Sequence, residues 1–172
     1  MALESGIAQL VEAFIAAGRP SSREQNIDDR RAAYIASTAL AGETETRVQA
    51  EDIELDAMAF RVISPRGSTG NLPCVIYYHG GCFVSGGFAT HDNQLRQLAR
   101  YSGCRIIAVQ YRLAPEHTFP AAHNDAETGA NIIWKYAQKL GVDRDNITLA
   151  GDSAGGHLAL VTALRLKAAR QW

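Results

Sequence analysis

Apolar residues recur at helical spacing near the start of the chain. Between residues 3 and 17 they fall three and four positions apart, which predicts an amphipathic helix that ends at Gly18-Arg19-Pro20. An alanine-rich pattern predicts a second helix from about Ile27 to Leu40, stopping at Gly42. Neither helix contains a recognisable motif, so two interpretations are open: packing against a core, or a cap over an active site.

Strand patterns alternate with helical patterns in the rest of the chain. Alternating apolar positions over 46–63 predict two antiparallel strands joined near Asp56, and the nearly continuous apolar run 74–78 predicts a strand buried on both faces. The elements predicted after it are a helix at about 91–101, a strand at 105–109, a helix at about 121–140, a strand at 146–150 and a helix from 158 to 169. This order predicts an α/β fold with a mainly parallel sheet and right-handed crossovers.

Composition and charge exclude several classes of function. The chain has 172 residues, is 47% hydrophobic and 20% charged, and carries a net charge of −1, which is typical of one globular domain. We therefore expect no nucleic-acid partner, and no apolar run approaches the ~18–20 residues that cross a bilayer. The first residues do not resemble a secretory signal, so we expect a cytoplasmic protein. Three cysteines, Cys74, Cys82 and Cys104, are not spaced as metal ligands, and we expect free thiols with no metal or cofactor.

Candidate chemistry lies in the segment Ala150-Gly151-Asp152-Ser153-Ala154-Gly155-Gly156-His157, which contains the pattern G-x-S-x-G between a predicted strand and a predicted helix. In this context the pattern predicts a strained turn that exposes the Ser153 hydroxyl at a helix N-terminus, where developing negative charge is favoured. Small residues at 151 and 155 would let the strand and the helix approach closely. A serine hydroxyl also needs a base, a group that orients the base, and donors for the oxyanion that forms.

Four motifs in order resemble the hormone-sensitive-lipase-like branch of the α/β-hydrolases. They are His-Gly-Gly-Cys-Phe at 79–83, Tyr-Arg-Leu-Ala-Pro-Glu-His at 111–117, Phe-Pro-Ala-Ala at 119–122 and Gly-Asp-Ser-Ala-Gly-Gly at 151–156. The resemblance implies the α/β-hydrolase fold, with a helical cap segment at 1–45 and the N-terminal part of the hydrolase domain, strands 1 to 5, at 46–172. It also implies cis peptide bonds at Ala114-Pro115 and Phe119-Pro120.

The same resemblance assigns roles to individual residues. It implies a carboxylesterase that hydrolyses short-chain acyl esters through an acyl-enzyme at Ser153. Gly81, Cys82 and Ala154 would supply the backbone N–H groups of the oxyanion hole, and Gly80 would shape that loop. The family usually has a third glycine where Cys82 stands, so we expect the thiol to project near the acyl site.

The triad partners of Ser153 are not found in the sequence. In this fold the order is Ser, then Asp or Glu, then His, but neither a carboxylate nor a histidine follows His157. His157 lies one helical turn from Ser153 and is expected to pack or hydrogen-bond rather than act as a base, and no other histidine is expected to approach the serine. We therefore expect the acid and the base on polypeptide missing from this chain, packed against strand 146–150, for instance as a second chain. The sequence also allows a homo-oligomer, and the alternative function is a hydrolase relic that binds a ligand or a partner without turnover.

Overall fold

Five strands form one mixed sheet in the computed structural model, which describes residues 4–18, 20–21 and 24–169. In chain order the strands are β1 (Val48–Leu55), β2 (Met58–Pro65), β3 (Leu72–Tyr78), β4 (Arg105–Val109) and β5 (Val142–Gly151), and their order in the sheet is β1-β2-β4-β3-β5. β2 pairs antiparallel with β1 and with β4, whereas β3 pairs parallel with β4 and with β5. The predicted fold class is confirmed, and two of the three parallel strands, β3 and β5, lead into the two glycine-containing motifs.

Helices cover both faces of this sheet. The helices on these faces are α3 (Phe88–Ser102) on one side and α4 (Ala121–Lys135) and α5 (Ala154–Ala168) on the other. Before β1 the chain forms α1 (Ser5–Ala16), α2 (Ile27–Ala36) and a 3-10 helix (Ser37–Ala41). α4 ends about five residues before its predicted end, because the chain turns back and the Val142 N–H bonds to the Ala137 carbonyl. β5 begins at Val142, before its predicted start at 146, and includes the polar run 143–146, which hydrophobic patterning does not identify as a strand.

The core is divided by the sheet into two apolar clusters. Ile107 packs in the cluster under α4 and α5, together with Ile133 and Leu158, whereas its neighbour Ile106 packs in the cluster under α3, together with Leu95. Successive side chains of a strand point to opposite faces. β4 is therefore buried on both faces, as its continuous apolar run predicts.

The N-terminal helices contribute nothing to this core. α1 and α2 contain no buried residue and belong to neither apolar cluster. The division into a cap segment at 1–45 and a hydrolase segment from 46 stays a prediction. Within the described residues, no helix is both long and apolar enough to cross a membrane.

Candidate active site

Ser153 stands on a strained turn between the last strand and the last helix. β5 ends at Gly151 and α5 begins at Ala154, and the exposed Ser153 between them has φ 51° and ψ −117°. A residue with a side chain adopts positive φ at an energetic cost, so the surrounding structure must hold it there. Gly155 lets α5 approach β3 closely at this turn, because a Cβ at this position would overlap the Tyr78 carbonyl oxygen. The sharp strand-turn-helix predicted from G-x-S-x-G is therefore present.

The loop that follows β3 lies against this turn. Gly81, Cys82 and Phe83 all have positive φ, at 128°, 56° and 62°, and the N–H groups of Val84 and Ser85 both bond to the Gly81 carbonyl. These residues form a tight loop at the end of the sheet where β3 and β5 both finish. Parallel strands bring their carboxyl ends to one edge, which is where ligands bind in open α/β sheets.

The predicted oxyanion residues divide into two groups. The Gly80 N–H donates to Asp152 Oδ1 at 2.8 Å, so it shapes the loop, as expected, and is not free to bind an oxyanion. Within the described part of the chain, the N–H groups of Gly81, Cys82 and Ala154 have no hydrogen-bond acceptor. Their role as oxyanion donors stays a prediction.

Asp152 connects the two segments of the site. Its Oδ1 also accepts the Tyr77 hydroxyl at 3.0 Å and lies 3.2 Å from His91 Nε2. Burial by itself raises the pKa of this carboxyl group, but hydrogen bonds and charge from His91, the Tyr77 hydroxyl and the Gly80 N–H outweigh it and hold the pKa at about 2. Asp152 is therefore ionised at neutral pH and acts as an acceptor for three donors.

His91 is the member of this network that sequence reasoning missed. It lies on α3, it is buried, and its Nδ1 is 2.8 Å from the Thr90 hydroxyl. No motif spacing connects it with Asp152, because α3 and the turn at Ser153 meet only when both pack against the end of β3. The Tyr34 hydroxyl of α2 approaches the same His91 Nε2 at 3.5 Å.

His79 is a structural histidine inside the loop. Its Nδ1 donates to the Gly80 carbonyl at 2.8 Å, and its ring stacks on Tyr111 with a centroid separation of 4.3 Å. The Tyr111 hydroxyl donates to the His79 carbonyl at 2.6 Å. Burial lowers the pKa of His79 to about 4, so the ring is neutral at pH 7.

His157 forms a hydrogen-bonded pair with His123. Their Nε2 atoms are 3.0 Å apart, and the Phe83 ring packs against both imidazoles. The expected packing and hydrogen-bonding role of His157 is confirmed. None of the described histidines bonds to the Ser153 hydroxyl, and no three described His, Cys, Asp or Glu side chains are grouped as metal ligands would be.

The segment 111–120 runs beside the loop. Both predicted X-Pro bonds, Ala114-Pro115 and Phe119-Pro120, are cis. The Ala114 N–H donates to the Phe83 carbonyl at 2.8 Å, so this segment contacts the loop that would hold the oxyanion.

Comparison with known proteins agrees with this geometry. The model of a family described as having the alpha/beta hydrolase fold matches residues 75–172. The chain belongs to this family. The resemblance to its hormone-sensitive-lipase-like esterases is also confirmed, because the relatives of this chain include named esterases.

Two curated relatives and one solved structure illustrate the similarity. Esterase LipI of Mycobacterium tuberculosis is 44% identical over 55% of this chain and 30% of its own length, and an ethyl acetate hydrolase of Pseudomonas putida is 33% identical over 95% of this chain and 54% of its own. A hyperthermophilic esterase of Pyrobaculum calidifontis superimposes with a TM-score of 0.85 at 39% identity, over 97% of this chain and 55% of that one. The chain thus spans about half the length, or less, of the relatives that it matches.

Proposed function

We propose that this chain carries the nucleophile and the oxyanion hole of a serine carboxylesterase that hydrolyses short-chain acyl esters. One observation carries the proposal: Asp152, next to the strained and exposed Ser153, binds the N–H of Gly80 in the glycine loop. The hydroxyl and the candidate oxyanion donors are thereby held beside each other. The named esterases among the relatives support the same reaction.

In the proposed reaction the Ser153 Oγ attacks the carbonyl carbon of the ester, while a base takes the hydroxyl proton. The carbonyl oxygen becomes an oxyanion, which accepts hydrogen bonds from the N–H groups of Gly81, Cys82 and Ala154. The alcohol leaves with a proton, and water then hydrolyses the acyl-enzyme by the same route. Loss of one such donor typically lowers turnover by ~10²–10³.

We further propose that the acid and the base lie on polypeptide that packs against the free edge of β5. Within the described residues β5 pairs with β3 alone, and an apolar groove of about 640 Å³ lies between β5 and α5. Leu160 and Leu164 of α5 are exposed, at 63% and 60%. An unpaired strand edge beside exposed leucines is a surface that further polypeptide would cover. The proposed partners are therefore this polypeptide and a small acyl ester.

The compartment that we propose is the cytoplasm. Cys74, Cys82 and Cys104 are all free in the structure. Free thiols are typical of proteins from reducing compartments, which supports this location.

Labelling with a fluorophosphonate tests the function. The natural protein that carries this chain should be labelled at one serine, and Ser153→Ala should abolish both the label and the hydrolysis of p-nitrophenyl acetate. Ser102→Ala, at the exposed end of α3, should leave both unchanged. If the natural protein resists the probe, Ser153 is not activated, and the non-catalytic relic becomes the better interpretation.

A further inference from the structure

One side chain of α2 reaches both loops beside the site. Arg31 Nε donates to the Val84 carbonyl at 2.8 Å, and one terminal nitrogen donates to the Ala114 carbonyl at 3.1 Å. Both terminal nitrogens also bond to the Glu116 carboxylate at 2.7 Å. The guanidinium group therefore connects a helix of the N-terminal segment with the glycine loop and with the segment 111–117.

The position of the Val84 contact matters because the preceding residues are strained. Cys82 and Phe83 have positive φ, and such backbone persists only where the surroundings hold it in place. Asp152 holds the start of the loop at Gly80, and the Ala114 N–H holds the Phe83 carbonyl. Arg31 holds the next carbonyl along the chain, so it fixes the far end of the strained segment.

A second residue on α2 contacts His91, the histidine next to Asp152. Tyr34 is three residues after Arg31, so the two side chains share one helix face. Its ring meets His91 edge-on, with centroids 6.0 Å apart, and its hydroxyl approaches His91 Nε2, which lies next to Asp152. The same helix face thus contacts the glycine loop through Arg31 and, through Tyr34, the His91 ring that lies next to Asp152.

We propose that Arg31 is a positioning residue for the oxyanion hole. Its hydrogen bond to the Val84 carbonyl keeps the Gly81 and Cys82 N–H groups aimed at the position of the oxyanion while α2 is docked. This inference rests on the proposed function. Arginine suits the task because its planar fork binds two carbonyl groups and a carboxylate at once, which the single ammonium group of lysine does not do.

Kinetics of Arg31→Met in the natural protein test the proposal. The oxyanion exists only in the transition state and the intermediate, so kcat should fall about ten- to a hundredfold while KM changes little. Binding of a boronic acid that mimics the tetrahedral intermediate should weaken by a similar factor. Arg31→Lys should show the same defect, because it keeps the positive charge but loses the planar guanidinium group. Full activity in Arg31→Lys would show that the guanidinium geometry is not required.

Two matched variants separate positioning from general effects of charge. Arg30→Met removes the neighbouring arginine, which has no hydrogen bond to either loop in the described part of the chain, and it should behave as wild type. Glu116→Gln removes the ion pair at the exposed carboxylate but leaves both carbonyl bonds, so kcat should fall less than about threefold.

Amide hydrogen exchange supplies a readout that does not depend on catalysis. Arg31→Met should speed exchange at residues 82–86, and Arg30→Met should not. If the wild type hydrolyses esters and Arg31→Met retains its kcat, its boronate affinity and its slow exchange, the positioning role is wrong and the proposed function stands. If the wild type hydrolyses no ester, the proposed function fails, and the exchange data still decide whether Arg31 holds the loop.

Discussion

Asp152 accepts a hydrogen bond from the backbone N–H of Gly80 across 2.8 Å, although the two residues are 72 positions apart in the chain. Each follows the carboxyl end of a parallel strand, β5 and β3, and these strands are neighbours in the sheet. The bond therefore joins the turn of Ser153 to the glycine loop at the edge of the sheet. The alignment of nucleophile and oxyanion donors should depend on it.

Asp152→Asn tests this dependence. The amide keeps the shape of the side chain but loses the charge that attracts three donors, and hydrogen bonds to charged groups contribute about 1.5–3 kcal/mol each. We expect kcat to fall about tenfold or more, with a loss of roughly 1–3 kcal/mol in the free energy of unfolding. Asp145→Asn, an exposed change on the same strand, is the control for esterase kinetics and urea unfolding. Wild-type kinetics and stability in Asp152→Asn would show that the charge is dispensable.

Two adjacent glycines of α5 offer a sharper test of the turn. A Cβ on Gly155 would overlap the Tyr78 carbonyl oxygen, whereas one on Gly156 would have its nearest contact, with the Gly151 carbonyl oxygen, at 3.2 Å. Gly155→Ala should separate α5 from β3, which we expect to destabilise the protein by about 1–3 kcal/mol or more and to abolish fluorophosphonate labelling. Gly156→Ala requires only a small shift and should keep most of the labelling and stability. Equal behaviour of the two variants would contradict the close approach at Gly155.

Sequence reasoning succeeded at several positions where local chemistry determines the structure. Residues 105–109 form a strand with the predicted bounds, and the positive φ of Ser153 follows from the G-x-S-x-G context. It failed where a contact depends on packing between distant elements. The burial of His91 against Asp152 requires α3, β3 and the turn after β5 to meet, and no spacing in the sequence encodes that meeting. The sequence does not predict the contact of Arg31 with Val84 for the same reason.

The buried His79 predicts a pH dependence of stability. The unfolded chain protonates this ring below about pH 6.5, whereas burial lowers the pKa of the folded ring to about 4. Between these values the unfolded state binds more protons, so the free energy of unfolding should be highest above pH 6.5 and should fall as the pH drops toward 4. Urea unfolding at several pH values between 4 and 7 measures this slope.

His79→Phe is the matched variant for that slope. It keeps an aromatic ring to stack on Tyr111 but removes the titrating group and the bond to the Gly80 carbonyl. We expect lower stability at pH 7 and a flatter dependence between pH 6.5 and 4. His117→Phe, at an exposed site, controls for the loss of a histidine. An unchanged slope in His79→Phe would assign the pH dependence to other groups.

The last prediction concerns Cys82, which stands in the glycine loop at φ 56° with an exposed side chain. Left-handed backbone costs a residue with a Cβ about 1 kcal/mol, so Cys82→Gly should keep or slightly raise stability. The backbone N–H survives the change, so kcat on small esters should also survive. Retained activity would show that the loop needs the N–H and not the thiol.

The thiol should nevertheless control access to the acyl site. Cys74 is buried, which raises the pKa of its thiol to about 12 and protects it from thiol reagents. Cys104 is only half-buried, so the experiment uses Cys104→Ser in every protein compared. A bulky maleimide should inactivate the protein that carries Cys104→Ser, because a reagent on Cys82 would fill the space beside Ser153. Adding Cys82→Gly to that protein should make it resistant. Inactivation rates and the mass of the labelled peptide measure this directly. Equal sensitivity of the two proteins would place the Cys82 thiol away from the acyl group.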